Sequence, residues 1–68
     1  MTSTTIFLNG ELQQSGCNNL YELIQQLNLE GKRFAVELNQ NIIPKSRLAD
    51  TPIQLNDRIE IIQAVGGG

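Results

Sequence analysis

Apolar and polar positions recur with two different periods along this chain, and the change of period divides it into elements. Thr4-Thr5-Ile6-Phe7-Leu8 is a β-branched and aromatic run that predicts a strand, with Ile6 and Leu8 on one face and Phe7 on the other. Asn9-Gly10 follows at once, the preferred pair for a two-residue type I′ turn because both positions need positive φ. The return strand is Glu11-Leu12-Gln13-Gln14, ending at Ser15-Gly16. The period then lengthens. Leu20, Leu23, Ile24 and Leu27 fall at i, i+3, i+4 and i+7, one apolar stripe along a helix. Asn19 is placed to cap it, and Glu22 to reach back as in a capping box. Asn28 to Arg33, with Gly31 at its centre, ends the helix and turns the chain.

The two-residue period returns at Phe34 to Leu38, with Phe34, Val36 and Leu38 on one face and Ala35 and Glu37 on the other. Asn39-Gln40-Asn41 reads as a turn, and Ile42-Ile43 as a short strand stopped by Pro44. Residues 45–53 are irregular, anchored by Leu48 and Ile53. Leu55-Asn56-Asp57 turns into a last strand, Arg58 to Gln63, with Ile59 and Ile61 inward and Glu60 and Ile62 outward. A hairpin, a helix, a strand pair, an irregular crossing and a final strand predict an α+β domain over residues 1–63. In it one main helix covers one face of a mixed four- to five-stranded sheet, the order of elements of the β-grasp fold. Residues 64–68 form a separate glycine-rich tail, expected to be flexible.

Composition narrows the function. Sixty-eight residues allow one small domain, which buries only about 60% of the surface its unfolded chain would expose. With no His and one Cys, neither a Ser-His or Cys-His nucleophile pair nor a Cys/His zinc site can be assembled. The chain is therefore not expected to be an enzyme on its own, nor to bind a metal or other cofactor. Five basic residues against seven acidic ones give a net charge of −2, with Lys32-Arg33 the one adjacent basic pair. That excludes the basic stripe of a nucleic-acid binder. Apolar runs stop at three residues, so no membrane span is expected. Residues 1–5 lack the charged start and apolar stretch of a secretion signal, and an unpaired Cys17 suits a reducing compartment, so a cytoplasmic protein is expected.

The remaining chemistry sits at the end, Ala64-Val65-Gly66-Gly67-Gly68. Fully extended, those residues reach roughly 17 Å at about 3.3–3.6 Å each. Without Cβ atoms, Gly66 and Gly67 can thread a slot that excludes larger side chains, delivering the Gly68 carboxylate to another protein's site. The carboxylate is ionised at neutral pH and a poor electrophile until activated, for example as a mixed anhydride with AMP. Glycine-rich ends also arise simply as frayed termini, so the tail alone does not decide.

Nearly all of the chain resembles the ThiS-type sulfur carrier proteins of thiamine biosynthesis, ubiquitin-like proteins of β-grasp fold. Ile6-Phe7-Leu8-Asn9-Gly10, Asn19-Leu20-Tyr21-Glu22-Leu23-Ile24, Asp57-Arg58-Ile59-Glu60-Ile61-Ile62 and the terminal Gly67-Gly68 all match the family pattern. Ala35-Val36-Glu37-Leu38-Asn39 with Ile43-Pro44-Lys45 is the most distinctive internal match. The family usually has Gly-Asp where this chain has Asn56-Asp57, and a small residue such as Ala where it has Gly66. The resemblance implies that a ThiF-type adenylyltransferase spends ATP to adenylate Gly68, and that sulfur from a cysteine desulfurase turns it into a thiocarboxylate. A ThiG-type thiazole synthase then takes the sulfur.

Partner docking is expected at outward Phe7 and Ile62, taken as neighbours because β-grasp first and last strands adjoin, with Arg58 and Glu60 at the rim. Single exposed hydrophobes are equally normal on any surface. Cys17 reads as a small half-buried residue, Tyr21 as surface packing, and the free chain as a monomer. Rival readings are the small subunit of molybdopterin synthase, a ubiquitin-like modifier of lysines, and a non-covalent interaction module.

Overall fold

The computed structural model describes residues 3–63. Five strands form one mixed sheet in the order β2-β1-β5-β3-β4, where β1 is Thr4–Leu8, β2 Glu11–Ser15, β3 Phe34–Leu38, β4 Asn41–Ile43 and β5 Arg58–Gln63. The helix α1, Leu20–Gln26, lies on one face. Antiparallel pairs join β1 to β2, β3 to β4 and β3 to β5, while β1 and β5 run parallel. The expected fold, with its elements in the expected order, is the observed one, and the expected tail at 64–68 lies outside the described residues.

Turn chemistry explains the hairpins. Asn9 and Gly10 have φ of 51° and 84°, as a type I′ turn requires. Asn39 and Gln40 do the same between β3 and β4 with φ of 51° and 72°, without a glycine. Asn56 takes φ of 67° where the related pattern has Gly; asparagine tolerates the left-handed region because its short side chain bonds locally.

The helix is short, so its ends matter. The N–H groups of its first three residues, which have no partner within a helix, each find one elsewhere. Leu20 N donates to Thr51 O at 3.1 Å, Tyr21 N to Leu48 O at 3.3 Å and Glu22 N to Asn19 Oδ1 at 2.8 Å. The irregular crossing between β4 and β5 is thus stitched onto the helix start. The expected capping box is shifted by one residue, because the Glu22 carboxylate accepts from Asn18 N rather than Asn19 N.

The expected apolar stripe is corrected at its last position. Leu27 is the C-cap and is 38% exposed, whereas Leu29 is 8% exposed and part of the core. Asn28 at φ of 61° reverses the chain, with Asn28 N donating to Gln25 O and Leu29 N to Ile24 O. This is a Schellman motif, and it swings Leu29 under the helix where Leu27 would have been. The core is Ile6, Leu8, Leu20, Leu23, Ile24, Leu29, Val36, Leu48, Ile53 and Ile59. Leu48 and Ile53 are the anchors of the crossing, as expected.

Candidate functional site

β5 ends at Gln63, the last described residue before positions 64–68, so its anchoring fixes where that segment begins. It lies between β1 and β3, and Ile59 is completely buried. Phe7 N donates to Asp57 O and Asn9 N to Ile59 O, both at 2.9 Å, forming the parallel ladder. The chain of β1 then turns away at Asn9-Gly10, and the Asn9 side chain replaces it: Ile61 N donates to Asn9 Oδ1 at 2.8 Å. On the other side, β3 pairs with β5 along its whole length, from Leu38↔Ile59 to Phe34↔Gln63. The entry of β5 is held equally firmly. Asp57 is buried; its Oδ2 accepts from Gln54 N and its Oδ1 from Asn39 Nδ2, while Asn39 Oδ1 accepts from Arg58 N. A rigid central strand thus runs to Gln63.

The four expected docking residues all lie on the helix-free face. Arg58, Glu60 and Ile62 are exposed and Phe7 is half-buried. The structure corrects one expectation about them: Phe7 and Ile62 are not neighbours. The parallel register sets Phe7 opposite Arg58, and Ile62 lies opposite Ala35 on β3. Four residues along β5 separate the two, roughly 13 Å at about 3.3 Å per residue. Strand adjacency alone could not give this, because it depends on where the two strands begin to overlap.

Two apolar spots result, with charge between them. At one, Leu12 is paired with Phe7 across the hairpin and is 63% exposed, and the Arg58 guanidinium stacks over the Phe7 ring at 4.7 Å. This contact covers part of the ring and holds the cation upright on the face. At the other, Ile62 is 57% exposed beside Ala35. Between them Glu60 lies directly opposite Glu37, and Ile42 lies opposite Glu37 on the edge strand. Like charges facing across a ladder destabilise it, so this acidic pair is costly in the isolated domain. Leu12, Glu37 and Ile42 belong to the face yet were not among the expected residues. Period-two alternation names them outward; only the register brings them beside Phe7 and Glu60.

Gly66, Gly67 and Gly68, expected to thread and carry the reacting carboxylate, lie outside the described residues. Cys17 is half-buried, and its Sγ lies 3.0 Å from Gln26 Oε1. Tyr21 is more than surface packing: it packs against the core, and its hydroxyl donates to the Glu30 carboxylate. That hydrogen bond, with burial and the Glu30 charge, raises the phenol above its usual range. Among the described residues no cluster of three metal-ligating side chains occurs, and no helix is long and apolar enough to cross a membrane.

Comparison with known proteins extends this picture to the end of the chain. The ThiS family model matches residues 5–68. A thiazole synthase of Paramagnetospirillum magneticum is 33% identical over 64 residues, covering 93% of this chain; the chain spans only 20% of that protein's length. The sulfur carrier protein ThiS of Escherichia coli is 29% identical over 63 residues, covering 93% of this chain and 96% of that protein. The crystal structure of the thiamine biosynthesis protein ThiS from Geobacter metallireducens superposes with a TM-score of 0.78 at 25% identity, over 96% of this chain and all of that one. The β-grasp fold is therefore shared.

Proposed function

Because the chain belongs to the ThiS family, we propose that it serves thiamine biosynthesis as a sulfur carrier whose Gly68 carboxylate is the covalent attachment point. The observation that carries this reading is a family match that runs to residue 68 and so includes Gly66-Gly67-Gly68. A carboxylate oxygen of Gly68 attacks the α-phosphorus of ATP in the site of a ThiF-type adenylyltransferase, and pyrophosphate leaves. A sulfur nucleophile then adds to the acyl carbon and AMP leaves. Where the sulfur arrives as the persulfide of a cysteine desulfurase, the product is an acyl disulfide. A second thiol cleaves its S–S bond, freeing the thiocarboxylate and ending as a disulfide itself.

A thiazole synthase is the proposed acceptor. A polypeptide of that name carries a segment similar to this chain within it, which supports carrier and acceptor working together. The rigid run of β5 to Gln63 and the side chains Phe7, Arg58, Glu60 and Ile62 give a partner a surface to hold while the glycines enter its site. The chain itself acts as co-substrate rather than catalyst.

Intact mass with C-terminal peptide mapping tests the reading, after incubation with ATP, the adenylyltransferase and a sulfur donor. A single oxygen-to-sulfur exchange at Gly68 is expected. An unaltered terminus, where a known carrier is converted in parallel, overturns it; adducts on lysines would assign the chain to protein modification instead.

A further inference from the structure

On the helix side of the sheet, at the end where β5 leaves, there is a pocket of about 350 Å³ that no step above uses. Its apolar walls come from Tyr21, Phe34 and Leu48. Phe34 is the register partner of Gln63, so the pocket lies beside the last described residue before the tail. Its rim is cationic: Lys32, Arg33 and Lys45 all line it. Lys45 is fixed there, with Nζ 4.4 Å over the Phe34 ring and donating to Lys32 O at 3.1 Å.

The charge is out of keeping with the rest of the molecule. The chain carries a net charge of −2 on five bases and seven acids, yet three of its five bases ring this one pocket. The single acidic side chain lining it, Glu30, is engaged by the Tyr21 hydroxyl. An excess of positive charge gathered on an acidic protein raises the local concentration of a negative partner and orients its approach. An apolar floor under a cationic rim suits a carboxylate carried on an aliphatic stem, an Asp or Glu side chain. The five residues beyond Gln63 reach roughly 17 Å at about 3.3–3.6 Å each. A protein that grips the terminus is thereby kept within reach of this rim.

We infer that the pocket ringed by Lys32, Arg33 and Lys45 is a second docking point, which receives an acidic side chain of the adenylating enzyme while that enzyme holds the tail. It lies on the opposite side of the sheet from Phe7 and Ile62, so the partner straddles the exit of β5. The inference rests on the carrier reading above.

The test compares two charge-matched variants in binding to, and adenylation by, that enzyme. One is Lys32→Gln, Arg33→Gln, Lys45→Gln; the other is Gln13→Glu, Gln26→Glu, Gln54→Glu, none of which lines the pocket. All six positions are exposed, and an amide spectrum verifies the fold of each protein. The pocket variant is expected to bind roughly tenfold more weakly at low salt, chiefly through slower association, and the difference to shrink at about 1 M salt. The remote variant is expected within about twofold of wild type under the same steering argument. Lys45→Met, which keeps an aliphatic stem over Phe34, should lose part of the affinity. Equal losses in the two triple variants, or none, overturn the inference, as does a loss seen with the thiazole synthase alone. Saturable shifts of the Tyr21 and Phe34 amides on adding inorganic phosphate overturn it too, because the occupant would be a free anion. Failure of the wild-type chain to be adenylated defeats the carrier reading itself, and the same assay reports it separately.

Discussion

Asparagine does two tasks at once in this chain. Among the described residues, four of the five non-glycine positions with positive φ are Asn9, Asn28, Asn39 and Asn56, and two of these also hold β5 through their side chains. Asn9 is the clearest case, since its amide oxygen takes the Ile61 N–H that β1 can no longer reach. Substitution separates the tasks. Asn9→Gly keeps the backbone conformation and loses one hydrogen bond, an expected cost of about 1 kcal/mol. Asn9→Ala adds the left-handed penalty of an L-residue and should cost about 2 kcal/mol or more. Asn9→Asp retains the acceptor and should stay within about 0.5 kcal/mol of wild type. Urea midpoints at constant slope measure all three, and equal values for Gly and Ala would refute the conformational part. The turn at Asn9-Gly10 was legible in the sequence because its dipeptide is nearly unique to that geometry. The bond to Ile61 was not, since it spans fifty-two residues and depends on the final register.

At the level of elements, local pattern and tertiary packing disagree in one instructive place. Periodicity extends the helix stripe to Leu27, the last apolar position before the expected stop at Asn28 to Arg33. The competing signal is Asn28, whose tolerance of positive φ ends the helix after Gln26 and makes Leu29 the buried residue. Leu29→Ala should therefore cost about 2–5 kcal/mol by leaving a cavity under the helix, while Leu27→Ala should cost under about 1 kcal/mol. The reverse order in chemical denaturation would restore Leu27 to the core. A helix of seven residues is too short to persist alone, so its register is set by what it packs on and by the crossing that satisfies its first N–H groups. For the same reason the strands were legible to within a residue, whereas the partners of each side chain were not. Phe7 reads as outward from alternation and faces Leu12 through the two-residue turn, but Arg58 beside it follows only from the parallel register of β1 and β5.

Across the whole molecule, the buried core and the proposed chemistry occupy different parts of the chain. Among the described residues every buried apolar side chain lies between Ile6 and Ile59, and every buried side-chain polar atom has a hydrogen-bond partner. The described core is thus assembled entirely from residues that precede Gln63. A chain lacking Gly67 and Gly68 is expected to unfold at the wild-type urea midpoint, within about 0.3 kcal/mol, because the last buried apolar residue described is Ile59. The same chain should give no acyl-adenylate and take up no sulfur, since the carboxylate left on Gly66 stops about 7 Å short at roughly 3.3–3.6 Å per residue. Its affinity for the adenylating enzyme should fall only in part, because Phe7, Ile62 and the Lys32–Arg33–Lys45 rim remain in position. Equilibrium binding of the truncated chain beside its unfolding curve checks all three outcomes. If truncation lowered the midpoint and left binding untouched, the tail would belong to the fold, and the division of labour drawn here would be reversed.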